Sequence, residues 1–245
     1  MTLPENNRDR QQEPLWDQFG KILLYPPIAL LHHLRWVGTE NIPDRGPAIL
    51  ASNHQSYYDP IFISMAVHRH ITYMALQKFF HYPLIGPLMK LFNPSPVEES
   101  PRVPNAYRHL FRALERGEVC GIFPEGGRTE DGLPQSPRPG AGALAIRTNA
   151  PVIPVTVDGA YDVWPLQRLL PRAGRVQLYF GEPLRFGGDT SRSVSAEQRQ
   201  SVAREIMMKI IDGFDFLGKH RIARLARRRL RNTASNDSKK KARKV

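Results

Sequence analysis

Short apolar runs alternate along the chain with segments of helical character, and this alternation sets the expected fold. Pro47-Ala48-Ile49-Leu50-Ala51-Ser52-Asn53 reads as a buried strand. Ile71–Leu76, Glu118–Pro124, Pro151–Asp158 and Arg175–Phe180 read as further strands. Between them, Ile61–Val67 follows a helix start at Asp59-Pro60, with Asp as cap and Pro in the first turn. Asn105–Arg116 reads as a helix stopped by Gly117, and Ala141–Thr148 as another. Ser195-Ala196-Glu197-Gln198 has the capping-box pattern. It opens a long helix with Val202, Ile206 and Ile210 on one face, and Ala203 and Met207 beside them. Strands alternating with helices predict an α/β fold: a single domain whose largely parallel, mixed sheet is flanked by helices.

Both ends of the chain break this pattern. Residues 1–14 are polar and of mixed charge, so no secretory leader is expected. Leu15–Val37 is apolar but carries Lys21, His32, His33 and Arg35, and Pro26-Pro27 interrupts it. It reads as two short helical pieces that could lie on a bilayer or pack on the domain. Three regions follow: 1–37 as lead and membrane-surface helical segment, 38–218 as the domain, and 219–245 as a basic tail.

The net charge of +12 belongs to that tail. Twelve of the 35 Lys and Arg residues lie at or beyond Lys219, against one acid there, Asp237, so the body is close to neutral. Ile222, Leu225, Ala226 and Leu230 share a helical face, with Arg221, Arg224, Arg227, Arg228 and Arg231 around them. This basic amphipathic pattern suits anionic lipid headgroups. Residues 232–245 are polar and Lys-rich and read as disordered. The tail has no aromatic residue on which a base could stack, so no nucleic-acid partner is expected. The single cysteine, Cys120, sits in an apolar run and reads as a buried thiol. The eight His residues and Cys120 show no metal-ligand spacing, so no metal or other cofactor is expected.

Two motifs carry candidate chemistry. Asn53-His54-Gln55-Ser56-Tyr57-Tyr58-Asp59 lies between a strand and a helix, where open α/β sheets bind ligands. His54 and Asp59 are five apart, which on one continuous helix would not bring them together. With His54 in the strand-end loop, the chain can fold back and join them. A carboxylate on one imidazole nitrogen leaves the other free to take a proton. Such a pair needs no protein nucleophile if the substrate supplies a hydroxyl, although Ser56 competes for that role. The second motif, Phe123-Pro124-Glu125-Gly126-Gly127-Arg128-Thr129, also lies at a strand end. Gly126 and Gly127 let backbone amides approach a ligand, and Arg128 offers a fork suited to phosphate. A tight turn with a Glu125–Arg128 ion pair is the plainer alternative.

Together the motifs resemble the phospholipid and glycerol acyltransferase family, whose best-known member acylates lysophosphatidic acid. Its N-H-x-S-x-x-D signature is matched by Asn53, His54, Ser56 and Asp59, and its F-P-E-G-x-R-S/T signature by Phe123, Pro124, Glu125, Gly126, Arg128 and Thr129. Arg138-Pro139-Gly140 resembles the family's basic-x-Gly turn, and Pro151-Val152-Ile153-Pro154-Val155 its V-P-V-type strand. The resemblance implies that His54 takes the proton of an acceptor hydroxyl attacking an acyl thioester, with Asp59 holding the imidazole. Glu125, Gly126, Gly127, Arg128 and Thr129 would bind the acceptor, with Ser56 beside them. The donor would be acyl-coenzyme A or acyl carrier protein, and the acceptor a lysophospholipid. The protein would sit on the cytoplasmic face of a membrane as a peripheral or monotopic enzyme, against anionic lipids.

One family feature is missing. After Pro83-Leu84-Ile85-Gly86 the usual V-D-R-like triplet reads Val97-Glu98-Glu99, with Glu99 in place of the arginine. A carboxylate there repels phosphate. Arg102, Lys78 and Lys90 are candidate substitutes; otherwise the acceptor is a different lysolipid or a lipid alcohol without that phosphate. Two further readings are a catalytically idle lipid-binding relative and an esterase or thioesterase in which water replaces the alcohol.

Overall fold

The most apolar run, β2 (Ala48–Ser52), is buried along its whole length and lies near the middle of a sheet. In the computed structural model, which describes residues 25–76, 95–97, 104–187 and 194–242, seven strands form that sheet. The others are β1 (Arg35–Val37), β3 (Ile71–Leu76), β4 (Ser95–Val97), β5 (Val119–Ile122), β6 (Val152–Asp158) and β7 (Gln177–Phe180). Their spatial order is β1-β7-β6-β2-β5-β3-β4, and every pairing is parallel except β6 with β7. A strand buried on both faces needs apolar residues at successive positions, which is why β2, β5 and β6 read as runs.

Helices cover both faces. They are α1 (25–31), α2 (Asp59–Ala66), α3 (Pro104–Glu115), α4 (Gly140–Thr148), α5 (Ala160–Val163), α6 (Ala196–Phe216) and α7 (His220–Ala242). One core cluster joins β2, β5, α3, α4 and α6 through Ile49, Leu110, Cys120, Leu144 and Ile206. The other joins β2, α2, β6 and β7 through Leu50, Phe62, Val155 and Leu178. The capping box at Ser195 and Gln198 forms, and Ala203, Ile206, Met207 and Ile210 are buried as their spacing predicts. Cys120 is buried, and burial pushes its thiol up to about 12, so it is an inert core residue.

The structure corrects three readings. The apolar segment before Val37 is not helical to its end: Arg35–Val37 forms an edge strand parallel to β7, with the Arg35 amide donating to the Val176 carbonyl. Residues 15–24 of that segment lie outside the described residues. Residues 232–242, read as disordered, continue α7, which ends on Lys239-Lys240-Lys241-Ala242, residues of favourable helix propensity. The apolar stripe of α7 faces the domain: Ala223, Ala226 and Leu230 are buried in the first core cluster, and Ile222 packs against it. Of the arginines around the stripe, Arg221, Arg224, Arg228 and Arg231 are exposed, while Arg227 pairs with Asp212 and Asp215 of α6. Among the described residues no helix is long and apolar enough to cross a membrane.

Gly142 sets the distance between α4 and α6. A Cβ there would lie 2.0 Å from the Arg199 carbonyl oxygen, a backbone atom that can move only with its helix. Gly142→Ala is therefore expected to lower stability by about 2 kcal/mol. A urea midpoint within error of the unsubstituted protein would show that the helices separate freely.

Candidate active site

Parallel pairing of β2 with β5 places their carboxyl ends side by side, with Ala51 opposite Ile122. The loops that follow hold the two motifs, 71 residues apart in sequence and in direct contact. The His54 amide donates to Glu125 Oε1 (2.9 Å), and the Thr129 amide donates to the His54 carbonyl (2.8 Å). Each loop thus supplies the hydrogen-bond partners that the other's backbone lacks.

The loop from His54 to Asp59 folds back as expected. Asp59 is fully buried, and its Oδ2 lies 2.8 Å from His54 Nδ1. The same oxygen accepts from the amides of Gln55 (2.6 Å) and Ser56 (2.7 Å). Asp59 is the first residue of α2 rather than its cap, because its side chain turns back to these upstream amides; Tyr58 occupies the cap position. With Nδ1 engaged, Nε2 is the nitrogen left to take a proton, on a ring whose side chain is 18% exposed.

Phe123 completes the seat of the imidazole. Its ring stacks on His54 with centroids 3.8 Å apart and planes at 14°. Tyr73 stacks behind Phe123 at 6.2 Å and lies across Gly121, where a Cβ would meet its ring at 2.0 Å. Asn53, the first residue of the motif, clamps the loop to β6: its amide donates to the Val157 carbonyl and its oxygen accepts the Val157 amide, both at 2.8 Å. The motif spelling flagged Asn53 and Phe123 but not these roles. Gln55 and Gln135 carried no signal at all. Gln55 donates to the Gly132 carbonyl (2.8 Å), and Gln135 braces Glu125.

Several residues expected to touch substrate are committed to the protein instead. Ser56 is buried, and its hydroxyl donates to the Trp164 carbonyl (2.9 Å). That engagement removes it as a nucleophile and as a direct substrate contact. Glu125 is buried, accepting from His54 with one oxygen and from the Gln135 amide (2.9 Å) with the other. Thr129 is buried and donates to the Leu133 carbonyl (2.8 Å). The side-chain oxygens of these three brace the loops, engaged by Trp164, by the His54 and Gln135 amides and by Leu133. Gly126 and Gly127 are exposed, and Gly126 has φ 72°, with Arg138 against the place a Cβ would occupy. The Arg128 guanidinium lies 3.5 Å from the Tyr57 ring centroid, bringing its charge over the His54–Asp59 loop. Lys78, Lys90, Glu99 and Arg102 lie outside the described residues.

A residue of the basic tail also reaches the site loop. Arg229 pairs with Asp131 and donates to the Leu133 carbonyl (3.3 Å). The guanidinium holds the Asp131 carboxyl down to about 2. Asp131 Oδ1 also lies 3.0 Å from the Thr129 hydroxyl, which shares its one proton between Asp131 and the Leu133 carbonyl, so α7 is tied to the second motif. Among the described residues no group of His, Cys, Asp and Glu is arranged to hold a metal.

A half-buried imidazole fixed by a buried carboxylate, next to a glycine turn with an arginine, can take a proton from a hydroxyl beside a bound anion. Comparison with known proteins places this geometry in a family. The acyltransferase family model matches residues 33–158. A 1-acyl-sn-glycerol-3-phosphate acyltransferase of Bacillus subtilis is 30% identical over 158 residues, covering 64% of this chain and 76% of that protein. The chloroplastic enzyme of that name from Arabidopsis thaliana is 26% identical over 196 residues, 78% of this chain and 52% of that one. The crystal structure of the 1-acyl-sn-glycerophosphate acyltransferase of Thermotoga maritima superposes with a TM-score of 0.63 at 25% identity, covering 86% of this chain and 78% of that one. The chain belongs to the acyltransferase family. The expected α/β class, with its largely parallel sheet flanked by helices, is the fold observed.

Two outcomes test the geometry. Burial pushes the Glu125 carboxyl from 4.5 up to about 8, with the two backbone amides opposing it. The fold then binds the proton more tightly than the unfolded chain. Its stability should be greatest below pH 4.5 as far as Glu125 is concerned, and should fall as pH rises to about 8. Glu125→Gln should flatten that slope in urea titrations across the window; an unchanged slope would assign it to another group. Asp59→Asn, which leaves the shape but removes the carboxylate, should lower kcat by about 10²-fold or more. Activity near that of the unsubstituted protein would remove Asp59 from its role.

Proposed function

We propose that this chain moves a fatty acyl group from an acyl thioester to the free hydroxyl of 1-acylglycerol-3-phosphate, giving phosphatidic acid. The observation that carries the reading is the His54–Asp59 pair, held 2.8 Å apart at the joined ends of β2 and β5. The names of the relatives from Bacillus subtilis, Arabidopsis thaliana and Thermotoga maritima support the acceptor.

The chemistry follows from the arrangement. His54 Nε2 takes the hydroxyl proton as the acceptor oxygen attacks the thioester carbonyl carbon. The C–O bond forms, the C–S bond breaks, and the imidazolium returns the proton to the departing thiolate. Asp59 fixes the tautomer and stabilises the imidazolium. No acyl-enzyme is needed, since the hydroxyl of Ser56 is engaged elsewhere. Arg128, over Tyr57, supplies positive charge for the acceptor phosphate, beside backbone that Gly126 and Gly127 leave open. Lys78 and Arg102 remain candidates for the same phosphate. Either acyl-coenzyme A or acyl carrier protein would serve as donor, with no cofactor. The acceptor is a lipid, so the reaction belongs at a membrane surface on the cytoplasmic side. The outward arginines of α7 suit anionic lipids there.

Glu99 favours a second acceptor reading, because it stands where relatives carry a phosphate-binding arginine. The experiment offers labelled acyl donor with lysophosphatidic acid or with a phosphate-free monoacylglycerol. Faster turnover of lysophosphatidic acid is expected; equal or faster turnover of the phosphate-free acceptor would exclude the phosphate reading. His54→Ala should lower transfer by about 10³-fold with the fold intact by circular dichroism. Substantial residual transfer would show that another group is the base.

A further inference from the structure

The described residues include a cluster of exposed leucines with no role in the fold. Leu169 is 82% exposed and Leu170 57%, with Leu166 also open to solvent. All three lie on one short loop, and the loop is not loose. The Arg172 amide donates back to the Val163 carbonyl (3.0 Å), closing it at its base. Inside, the Arg168 amide donates to the Pro165 carbonyl (3.2 Å) and Trp164 Nε1 donates to the Arg168 carbonyl (3.1 Å). Exposed leucines cost free energy in water. A closed loop that holds them outward presents them to something.

The charge beside them identifies what. Arg168, Arg172 and Arg175 are exposed on and just after the loop. Asp162 is the acid nearest in sequence, and Arg172 meets it at 3.8 Å. The chain leaving the loop runs against α1, where the Gly174 amide donates to the Leu31 carbonyl (3.4 Å). Leu30 and Leu31 are exposed there as well. Exposed leucines beside exposed arginines match a phospholipid interface, where apolar groups enter below the headgroups and guanidinium groups meet the phosphates.

The loop is also tied to the catalytic loop. Trp164 at its base takes the Ser56 hydroxyl on its carbonyl, and its ring packs on Tyr57 (5.1 Å) and Tyr58 (4.7 Å). Gln167 donates to the Glu130 carbonyl (3.0 Å), next to the second motif. We propose that the loop 163–172 is a membrane-docking finger that inserts Leu169 and Leu170 into an anionic phospholipid surface and sets the His54 loop beside the lipid. The proposal deepens the lipid-acceptor reading, and rests on it only for why docking serves the reaction.

The experiment uses the full chain without donor or acceptor. Flotation with vesicles of phosphatidylcholine and phosphatidylglycerol compares the unsubstituted protein with Leu169→Ser/Leu170→Ser. The double variant should partition about tenfold more weakly, with an unchanged thermal transition because both side chains are exposed. Cys120 is buried, so a Leu169→Cys variant can be labelled there with an environment-sensitive dye. Its emission should shift to the blue on adding these vesicles, and less with phosphatidylcholine alone. Unchanged partition of the double variant overturns the proposal. A dye already shifted without vesicles also overturns it, since another part of the chain or a second copy would then cover the leucines. If the unsubstituted protein fails to acylate lysophosphatidic acid yet docks through these leucines, the docking surface stands and the acceptor reading falls.

Discussion

One buried carboxylate oxygen organises the active site. Asp59 Oδ2 gathers His54 Nδ1 and the amides of Gln55 and Ser56, all between 2.6 and 2.8 Å. Asp59 is fully buried and all three of these partners meet Oδ2, so opening the loop would strand the buried carboxylate. The three bonds bend the chain from strand to helix within seven residues and fix the imidazole in one tautomer. Truncating the Asp59 side chain would leave two buried amides unsatisfied and His54 Nδ1 without its partner.

The sheet supplies the second constraint. Two motifs 71 residues apart become one site because β2 and β5 are parallel neighbours in register. Glu125 then works sideways: it closes the gap between the loops by accepting an amide from each, His54 on one side and Gln135 on the other. Buried between the loops, its two oxygens are both engaged by backbone amides. Phe123 and Tyr73 pack the imidazole from one face, and Gly121 leaves room for the tyrosine.

The basic C-terminal helix is more closely tied to the site than its composition suggests. Its Ala223, Ala226 and Leu230 lie in the core, Arg227 pairs with Asp212 and Asp215 of α6, and Arg229 reaches Asp131. Charge that reads as a lipid-binding tail is thus divided. Part of it holds the helix to the domain, and part faces outward.

What the sequence determined by itself was the order of the longer elements and the His54–Asp59 contact. Apolar runs give buried strands because a strand covered on both faces has no polar side, and the Ser195 cap fixes a helix start by local hydrogen bonds. His54 and Asp59 were legible because only five residues separate them and a local fold-back suffices. Edge strands β1 and β4 were not legible: three residues carry no period, and β1 pairs with a strand far along the chain. Nor was the direction in which side chains turn. Ser56, Glu125 and Thr129 look like ligand contacts in the motif, but the acceptors and donors that engage them come from Trp164, Gln135 and Leu133. The apolar stripe of α7 could have met lipid or core, and only its packing into the core decided it. Periodicity and short-range spacing are properties of the chain; which partner a polar or apolar face finds is a property of the assembled domain.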